Sequence, residues 1–275
     1  MTNRTNDTPA PTERKSNAGT DTQPAVSTND LTKTYSDTTA VNDLNLTVER
    51  GAVYGFLGPN GAGKTTTIRM LTALLPPTSG SGRVAGTSIT NREELIEHIG
   101  YLPESPPIHE EFTAHEQLEY HGGLRNMTPS EIDNRIESLL ARFELTDVAD
   151  QRIATYSKGM RQKTGLIQAI MHDPDVVFLD EPTSGLDPRA ARTVRETITN
   201  LAAEDTTVFL STHILPVVED IATNVGILYK SNLVAEGHPS DLASHREIDE
   251  GRTLEDVFLE VTTEDEYRSN ESTSH

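Results

Sequence analysis

Two glycine-bearing polar stretches of this 275-residue chain have the residue types that bind phosphate groups. The first, GPNGAGKT, begins at Gly58 and fits the pattern G-x-x-x-x-G-K-[ST] between an apparent strand and an apparent helix. Its glycines let backbone N–H groups turn toward phosphate oxygens, and the N-terminus of the following helix adds partial positive charge. In this pattern Lys64 should reach the β- and γ-phosphates of ATP, and the Thr65 hydroxyl should bind Mg²⁺.

The predicted ATP contacts are Gly58, Pro59, Asn60, Gly61, Ala62, Gly63, Lys64, Thr65 and Thr66. The alternative is an ordinary glycine-rich turn.

The second stretch, YSKGMRQKTG, begins at Tyr156 and also reads as a polar turn that opens a helix. Ser157 has a side chain that can cap a helix N-terminus, and Gly159 lets another group approach the backbone closely. Together they predict a second anion site, although one bound nucleotide needs only one. A plain helix cap without a ligand is the alternative.

Two adjacent carboxylates follow the apolar run VVFL. Asp180 and Glu181 stand at the C-terminal end of a predicted buried strand, which is the edge of an open α/β sheet where ligands bind. We expect Asp180 to hold Mg²⁺ through its bound water and Glu181 to act as the general base for the attacking water. Without the upstream phosphate loop, two carboxylates opening a surface loop would be the simpler interpretation.

Hydrophobic patterning predicts the elements that position these residues. The run AVNDLNLTVERGAVYGFLG predicts two strands around a turn at Glu49–Gly51, the second ending at Gly58. A helix should begin at Lys64 and stop at Pro76–Pro77. The β-branched runs DVVFLD, TTVFLS and NVGILY, separated by helical stretches, predict buried parallel strands, and YKSNLVAEG predicts a closing hairpin.

A mostly helical region is predicted from Asn91 to Phe143. Thr113 with Glu116, and Thr128 with Glu131, have the spacing of capping boxes at helix N-termini. An apolar stripe at helical spacing follows the second box and comprises Ile132, Ile136, Leu139, Leu140 and Phe143.

The chain is strongly acidic, with a formal net charge of −20 and lysine only at positions 15, 33, 64, 158, 163 and 230. Such a surface repels phosphate backbones, so we expect no general nucleic-acid binding. An acidic, lysine-poor surface also resembles that of proteins from salt-loving organisms, because the Debye length falls to roughly 3 Å near 1 M salt. The simpler interpretation is a very soluble acidic protein.

Several classes of protein are not expected. The absence of cysteine argues against disulfides and thiolate metal sites. The N-terminus has no long apolar segment, so we expect no signal peptide, and nowhere do 18 apolar residues run together, so we expect no membrane span. His115 and His121 are six residues apart and do not share a helix face, so we expect no metal other than Mg²⁺.

Both ends of the chain are predicted to lie outside the core. Residues 1 to about 26 are polar and should form a disordered tail, with order beginning near Leu31–Tyr35. The stretch Glu260–Glu266 reads as a solvated acidic tail. Between core and tail, an apolar set at helical spacing should dock on the domain: Leu254, Val257, Phe258 and Val261.

The phosphate loop, YSKGM, FLDEP, SGLD and STH occur in the order and spacing of an ATP-binding-cassette (ABC) ATPase, and the chain resembles that family from about Thr28 to Val261. It looks most like the separate ATPase subunits of multidrug or antibiotic-export systems. The resemblance implies that two copies pack head to tail, each ATP lying between the phosphate loop of one copy and the signature helix of the other. This arrangement accounts for the second anion site.

By the same resemblance, His213 in STH contacts the γ-phosphate, and Asp187 in SGLD crosses the dimer interface. Tyr35 lies where the family stacks an aromatic ring on adenine; packing in the core is the alternative. A lone structural histidine and a plain helix cap are the alternatives for His213 and Asp187.

This sequence departs from the family pattern at two places. The usual signature Leu-Ser-Gly-Gly-Gln reads YSKGM here. By the resemblance, Lys158 would add positive charge near a bound γ-phosphate; the alternative is a solvated surface cation. Glu104 in GYLPE replaces a common glutamine that contacts Mg²⁺ or the attacking water. An ionised carboxylate can accept but not donate a hydrogen bond, so Glu104 suits Mg²⁺ but repels the γ-phosphate. We still assign Glu104 to the catalytic and metal site.

These observations predict an α/β fold of the P-loop NTPase class, a sheet flanked by helices, with an antiparallel β subdomain and an inserted helical subdomain. The predicted boundaries are a tail over 1–27, a nucleotide-binding domain over 28–240 with its helical insert at about 104–157, and a C-terminal extension over 241–275.

The predicted function is the ATP-hydrolysing subunit of a transporter. It would bind ATP and Mg²⁺, dimerise with an identical or a different ATPase, and drive a separate permease, in the export direction by resemblance. We expect it at the cytoplasmic face of the membrane, held there by the permease. The rivals are a soluble ABC ATPase without a transport role and a small-molecule kinase, which would leave YSKGM and STH unexplained.

Overall fold

The computed structural model describes residues 23–244, 253–260 and 262. The strands are β1 (Val26–Tyr35), β2 (Thr38–Leu44), β3 (Thr47–Val48), β4 (Val53–Leu57), β5 (Ser79–Val84), β6 (Thr87–Ser88), β7 (Ile99–Leu102), β8 (Val176–Asp180), β9 (Thr207–Thr212), β10 (Asn224–Tyr229) and β11 (Asn232–Gly237). The helices are α1 (Lys64–Leu71), α2 (Arg92–His98), α3 (Ala114–Leu124), α4 (Pro129–Arg142), α5 (Lys158–Ile170), α6 (Pro188–Ala203), α7 (Leu215–Ile221) and α8 (Pro239–Ser244).

The main sheet has the strand order β11-β10-β4-β9-β8-β7, and every pairing in it is parallel except the β10–β11 hairpin. All five residues of β4, of β8 and all six of β9 are buried, which explains their continuous apolar composition. The predicted parallel strands and the closing hairpin are therefore confirmed. Because the strands are parallel, their C-terminal ends share one edge, where the segments after Leu57, Asp180 and Thr212 begin.

The second sheet is antiparallel and has the order β2-β1-β5-β6, with β3 paired to β1. It confirms the predicted antiparallel β subdomain. Strand β1 begins at Val26, and both Ala25 and Val26 are buried, so the expectation that order begins near Leu31 was wrong. Val26 pairs with both Val48 and Val84. These neighbouring strands stabilise the beginning of β1 at Val26, which the polar flanking sequence does not indicate.

The helical insert contains α3 and α4, and both predicted capping boxes are present at Thr113 and Thr128. The apolar stripe of α4 is buried in one core with residues of α3 and α5, including Leu118 and Leu166. The prediction of a mostly helical region from Asn91 to Phe143 is confirmed by α2, α3 and α4, but it did not include β7. The four residues of this strand, IGYL, are too few to show a strand period, and pairing with β8 determines their conformation.

Helix α1 begins at Lys64 as predicted but ends at Leu71, before the expected stop at Pro76–Pro77. Ala73 has a φ of +53°, and the amides of Leu74 and Leu75 turn back to the Arg69 carbonyl at 2.9 and 3.0 Å. This left-handed turn gives the Arg69 carbonyl its hydrogen-bond donors and ends the helix before the prolines are reached.

A short helical segment over residues 254–260 packs on the domain. Leu254 and Val257 are buried with Leu57, Val225 and other residues near the end of the main sheet, and Phe258 packs against them partly buried. The predicted docking is confirmed for these three residues. Val261, most of the acidic stretch to Glu266 and the predicted tail over residues 1–22 lie outside the described residues.

No helix in the described ranges is long and apolar enough to cross a membrane. Among the same residues, no cluster of three or more His, Asp or Glu side chains forms a candidate metal site, including the region of His115 and His121.

Candidate active site

The phosphate loop connects the end of β4 to the start of α1, and its glycines are required by its backbone. Gly61 and Gly63 have φ values of +82° and +111°, a conformation that residues with a side chain rarely adopt. A Cβ at Gly63 would lie 2.2 Å from the Ala40 carbonyl oxygen, and one at Gly58 would lie 2.4 Å from that of Leu228. The loop therefore has a fixed shape that only this glycine pattern allows.

Lys64 is buried at the N-terminus of α1, with 6% of its surface exposed. Its Nζ donates hydrogen bonds to the carbonyl oxygens of Gly58 at 2.8 Å and Pro59 at 3.2 Å, so the side chain curls back across its own loop. Its ammonium also lies 3.4 Å from Oε1 of Glu181. The lysine thus joins the phosphate loop to the end of β8.

Asp180 and Glu181 are both buried, at 2% and 7% exposure. Asp180 is the last residue of β8 and pairs with Ser211 of β9, whose hydroxyl donates a hydrogen bond to Asp180 Oδ1. This contact orients one carboxylate oxygen and leaves Oδ2 for another ligand.

Glu181 has a φ of +50°, in the left-handed region that is unfavourable for a residue with a Cβ. Its Oε2 accepts a hydrogen bond from Thr212 Oγ1 at 3.1 Å and one from the His213 backbone N–H at 3.4 Å. These bonds hold the carboxylate beneath the phosphate loop despite the unfavourable backbone.

The other oxygen of Glu181 lies between two basic side chains. His213 Nδ1 is 3.0 Å from Oε1, and Lys64 Nζ is 3.4 Å from the same atom. Neither makes a well-directed hydrogen bond, so this buried oxygen has no hydrogen-bond partner among the described residues. Lys64 and His213, which were predicted separately, therefore both lie beside the Glu181 carboxylate.

Among the described residues, the side chains of Thr65 and Glu104 make no hydrogen bond or ion pair with this cluster, although both residues lie at the same end of the main sheet. Thr65 is the second residue of α1 and is half-buried. Glu104 follows β7, whose Leu102 pairs with Leu179 beside Asp180. Glu104 is exposed and makes no hydrogen bond or ion pair with the described part of the chain. Glu104 therefore follows a strand that ends at the same sheet edge as Asp180, without a hydrogen bond or ion pair to either carboxylate.

The second predicted anion site forms a separate cluster at the N-termini of α5 and α6. Ser157 caps α5 by accepting a hydrogen bond from the Met160 N–H at 3.2 Å, and Asp187 caps α6 by accepting from Arg189 and Ala190, both at 3.0 Å. A Cβ built at Gly159 would lie 3.0 Å from Ala190 Cβ, so the two helix starts are in contact.

A small cavity of about 220 Å³ opens between these two helix N-termini, with Ser157, Gly159 and Asp187 among its lining residues. Lys158 is the first residue of α5, and its ammonium lies close to Gly185, two residues before Asp187. No hydrogen bond or ion pair within the described ranges joins this cluster to Lys64 or Glu181. One chain therefore presents two separate groups of the residues that the sequence predicts to bind anions.

Tyr35 ends β1 and is exposed, at 46%. The amine of Lys33 lies 5.2 Å from the centre of its ring. The alternative that Tyr35 packs in the core is therefore wrong, and its ring is accessible from solvent.

Sequence reasoning missed two residues that orient the carboxylates. Ser211 and Thr212 donate to Asp180 and Glu181, and each comes from β9 rather than from the loop that carries the acids. Their signal was present in the run ending in STH, since polar residues are unusual in a strand that is otherwise apolar.

The sequence and the fold both resemble those of known proteins. A family model described as ABC transporter matches residues 41–184. The Bacitracin transport ATP-binding protein BcrA of Bacillus licheniformis is 38% identical over 213 residues, which cover 77% of this chain and 69% of the relative. The Daunorubicin/doxorubicin resistance ATP-binding protein DrrA of Streptomyces peucetius is 38% identical over 226 residues, covering 81% and 68%. Among solved structures, an ATP binding subunit of an ABC transporter superposes with a TM-score of 0.79 at 29% identity, covering 86% of this chain and 99% of that one.

Proposed function

The chain belongs to the ABC transporter family as an ATP-binding, ATP-hydrolysing subunit, and we propose that two such subunits close around two ATP molecules to drive a separate permease. The meeting of Lys64, His213 and Thr212 at the Glu181 carboxylate is the observation that carries the catalytic part of this proposal. Relatives named for transport and drug resistance favour export and disfavour a soluble role without transport.

The phosphate loop would bind the triphosphate through the N–H groups of residues 58–66, and Lys64 would leave its carbonyl partners for the β- and γ-phosphates. Mg²⁺, when bound, would neutralise phosphate charge. The Thr65 hydroxyl and the free Oδ2 of Asp180 are suited to hold it, the latter through water, because oxygen ligands suit this ion. The exposed ring of Tyr35 is proposed to stack on adenine.

Glu181 is proposed as the general base. Its Oε1 lacks a well-directed hydrogen bond and would accept a proton from the attacking water, while Oε2 stays anchored to Thr212. His213 would hold the γ-phosphate, which places it between that group and the base. Water, base and phosphate would then be aligned for in-line attack.

The cluster at the starts of α5 and α6 is proposed to complete the site of a partner subunit. Ser157, Lys158 and Gly159 would bind the partner's γ-phosphate, with Asp187 beside them at the interface. Two separate anion-binding groups on one chain favour this arrangement, because a two-fold axis can bring the second group of one copy to the first group of the other. The paired subunit can be an identical copy or a second ATPase.

The proposed assembly is tested with the full chain in its native cells. A tagged chain should co-purify from membranes with an integral membrane protein, held at the cytoplasmic face. Light scattering of the purified chain should show a mass increase on ATP addition when hydrolysis is blocked by omitting Mg²⁺ and adding EDTA, or by substituting the base. A strictly monomeric chain that hydrolyses ATP at full rate would contradict the paired site.

Glu104 is proposed to bind Mg²⁺ only when ATP occupies the site. Replacing Glu104 by glutamine should raise the Mg²⁺ concentration for half-maximal hydrolysis about several-fold, because a carboxylate binds this ion more strongly than an amide. The fold should be unchanged, since Glu104 is exposed and makes no hydrogen bond or ion pair with a described residue. Glu110→Gln, an exposed glutamate in the same loop, is the matched control. An unaltered Mg²⁺ titration would argue against a direct role.

The acidic surface is proposed to adapt the protein to high salt. Lowering salt from about 2 M to 0.05 M should reduce the helical circular dichroism signal, because a net charge of −20 repels itself when the Debye length grows. Adding salt back should restore the signal. A spectrum that is identical in dilute buffer would remove the case for halophilic adaptation.

A further inference from the structure

Thr212 is the last residue of β9, and its side chain is completely buried. Its hydroxyl oxygen accepts a hydrogen bond from the Ile214 backbone N–H at 3.0 Å, and the hydroxyl donates to Glu181 Oε2 at 3.1 Å. A backbone N–H can only donate, so the single proton of the hydroxyl remains available for the carboxylate. Thr212 is therefore a donor with a fixed direction toward one oxygen of Glu181.

The two oxygens of Glu181 have different surroundings. Oε2 accepts from the Thr212 hydroxyl and, at 3.4 Å, from the His213 backbone N–H. Oε1 lies beside the Lys64 ammonium and the His213 ring without a well-directed hydrogen bond. The terminal torsion of a glutamate side chain has only a broad preference, so it leaves the plane of the carboxylate free to turn. The hydrogen bonds to Oε2 must therefore determine where Oε1 lies.

Lys64 is the group that would turn this carboxylate if the hydroxyl were absent. Its ammonium is 3.4 Å from Oε1, and both side chains are buried, so the attraction between their opposite charges is weakly screened. The other donor to Oε2, the His213 backbone N–H, is at the long distance of 3.4 Å and is correspondingly weak. Without the Thr212 hydroxyl, the carboxylate would rotate toward Lys64.

We propose that Thr212 is a positioning residue for ATP hydrolysis, whose hydroxyl fixes the rotation of the Glu181 carboxylate so that one oxygen stays anchored and the other faces the attacking water. The same hydroxyl binds the N–H of Ile214, the residue after His213. It therefore also holds the base in a fixed relation to the segment that carries the proposed γ-phosphate contact. This inference rests on the proposed role of Glu181 and adds the group that orients it.

Replacing Thr212 by valine removes the hydroxyl and keeps the branched shape of the side chain. Turnover should fall by about 10–10²-fold, because a general base that is rotated out of line loses most of its effect. The KM for ATP should stay within about twofold of wild type, since the phosphate loop is unchanged. Thr212→Ser keeps the donor and should retain at least about a third of wild-type turnover. A higher KM with unchanged turnover in the valine variant would overturn the proposal.

Thr207→Val is the matched control. Thr207 is the first residue of the same strand and is 1% exposed, and its hydroxyl oxygen accepts from the Gly51 backbone N–H at 3.0 Å. This variant also leaves a backbone amide without its acceptor, but at the opposite end of β9 from the carboxylates. Its turnover should stay within about twofold of wild type. An equal loss of turnover in both valine variants would assign the effect to the strand and overturn the proposal.

Thermal unfolding shows whether each variant is folded. If Thr212→Val is too unstable to assay, Thr212→Ala, which also lacks the hydroxyl, takes its place beside the serine variant. Serine should then retain at least about tenfold more turnover than alanine, because only serine can donate to Glu181. Equal turnover in the alanine and serine variants would contradict a role for the hydroxyl.

A double variant tests whether Thr212 acts through Glu181. Once Glu181 is glutamine, there is no base left to orient, so adding Thr212→Val should lower the residual turnover by less than about twofold. Residual turnover is measured by phosphate release with enzyme in excess over ATP. A further tenfold loss in the double variant would show that Thr212 acts on another group and would overturn the proposal.

The proposed base and its proposed positioning residue fail in different ways. If Glu181→Gln hydrolyses ATP like the wild type, the assignment of the base is wrong. If Glu181→Gln is inactive but Thr212→Val keeps wild-type turnover, the base assignment stands and the positioning role of Thr212 is wrong.

Discussion

Replacing Glu181 by glutamine should lower ATP turnover by about 10²–10⁴-fold and leave ATP affinity close to that of the wild type. The amide cannot take a proton from water, but it can still accept the Thr212 hydrogen bond that holds the side chain in place. Loss of the negative charge also frees Lys64 from its neighbour at 3.4 Å, so phosphate binding should not weaken.

Turnover is measured by phosphate release and affinity by a fluorescent ATP analogue. Glu119→Gln is the matched control, because Glu119 is exposed on α3 and distant in sequence from the site motifs. The Glu181 variant should also accumulate as an ATP-bound dimer, since the step that opens the pair is blocked. Turnover within twofold of wild type would show that another group removes the proton.

The phosphate loop could be predicted from sequence because local backbone requirements determine its residues. Gly61 and Gly63 have φ values of +82° and +111°, a backbone conformation that residues with a side chain rarely adopt. Capping boxes at Thr113 and Thr128 were equally predictable, since both partners of each box lie within four residues. Features set by short-range geometry are visible in a single sequence.

Features set by distant contacts were not predictable in the same way. Strand β7 exists because its backbone pairs with β8, more than seventy residues later in the chain. The hydrogen bonds from Ser211 and Thr212 to the two carboxylates depend on the register of β8 against β9. The left-handed backbone of Glu181 is held by those same bonds and runs against local preference. These features depend on contacts between distant parts of the chain, so they become visible only in the folded structure.

The two clusters proposed to bind phosphate lie apart on one chain, so two variants that each lack one of them can be mixed. A chain with Lys64→Ala lacks the phosphate-loop lysine, and a chain with Gly159→Glu places a carboxylate at the start of α5, where a phosphate should bind. Each variant alone should lose at least about 10²-fold in turnover, because both sites of its dimer carry the same defect. Gly159→Ala is the control for Gly159→Glu, since its Cβ makes the same 3.0 Å approach to Ala190 without the charge.

An equal mixture of the two inactive chains should recover about a quarter of wild-type turnover, because half of the dimers are mixed and each mixed dimer has one intact site of two. In that site, Lys64 of the Gly159→Glu chain faces Gly159 of the Lys64→Ala chain. Purification through two different tags isolates the mixed dimer, which should then reach about half of the wild-type rate. Mixed dimers that form but stay inactive would contradict a site shared between subunits. If the Gly159→Glu variant alone kept wild-type turnover, the whole reaction would take place within one chain.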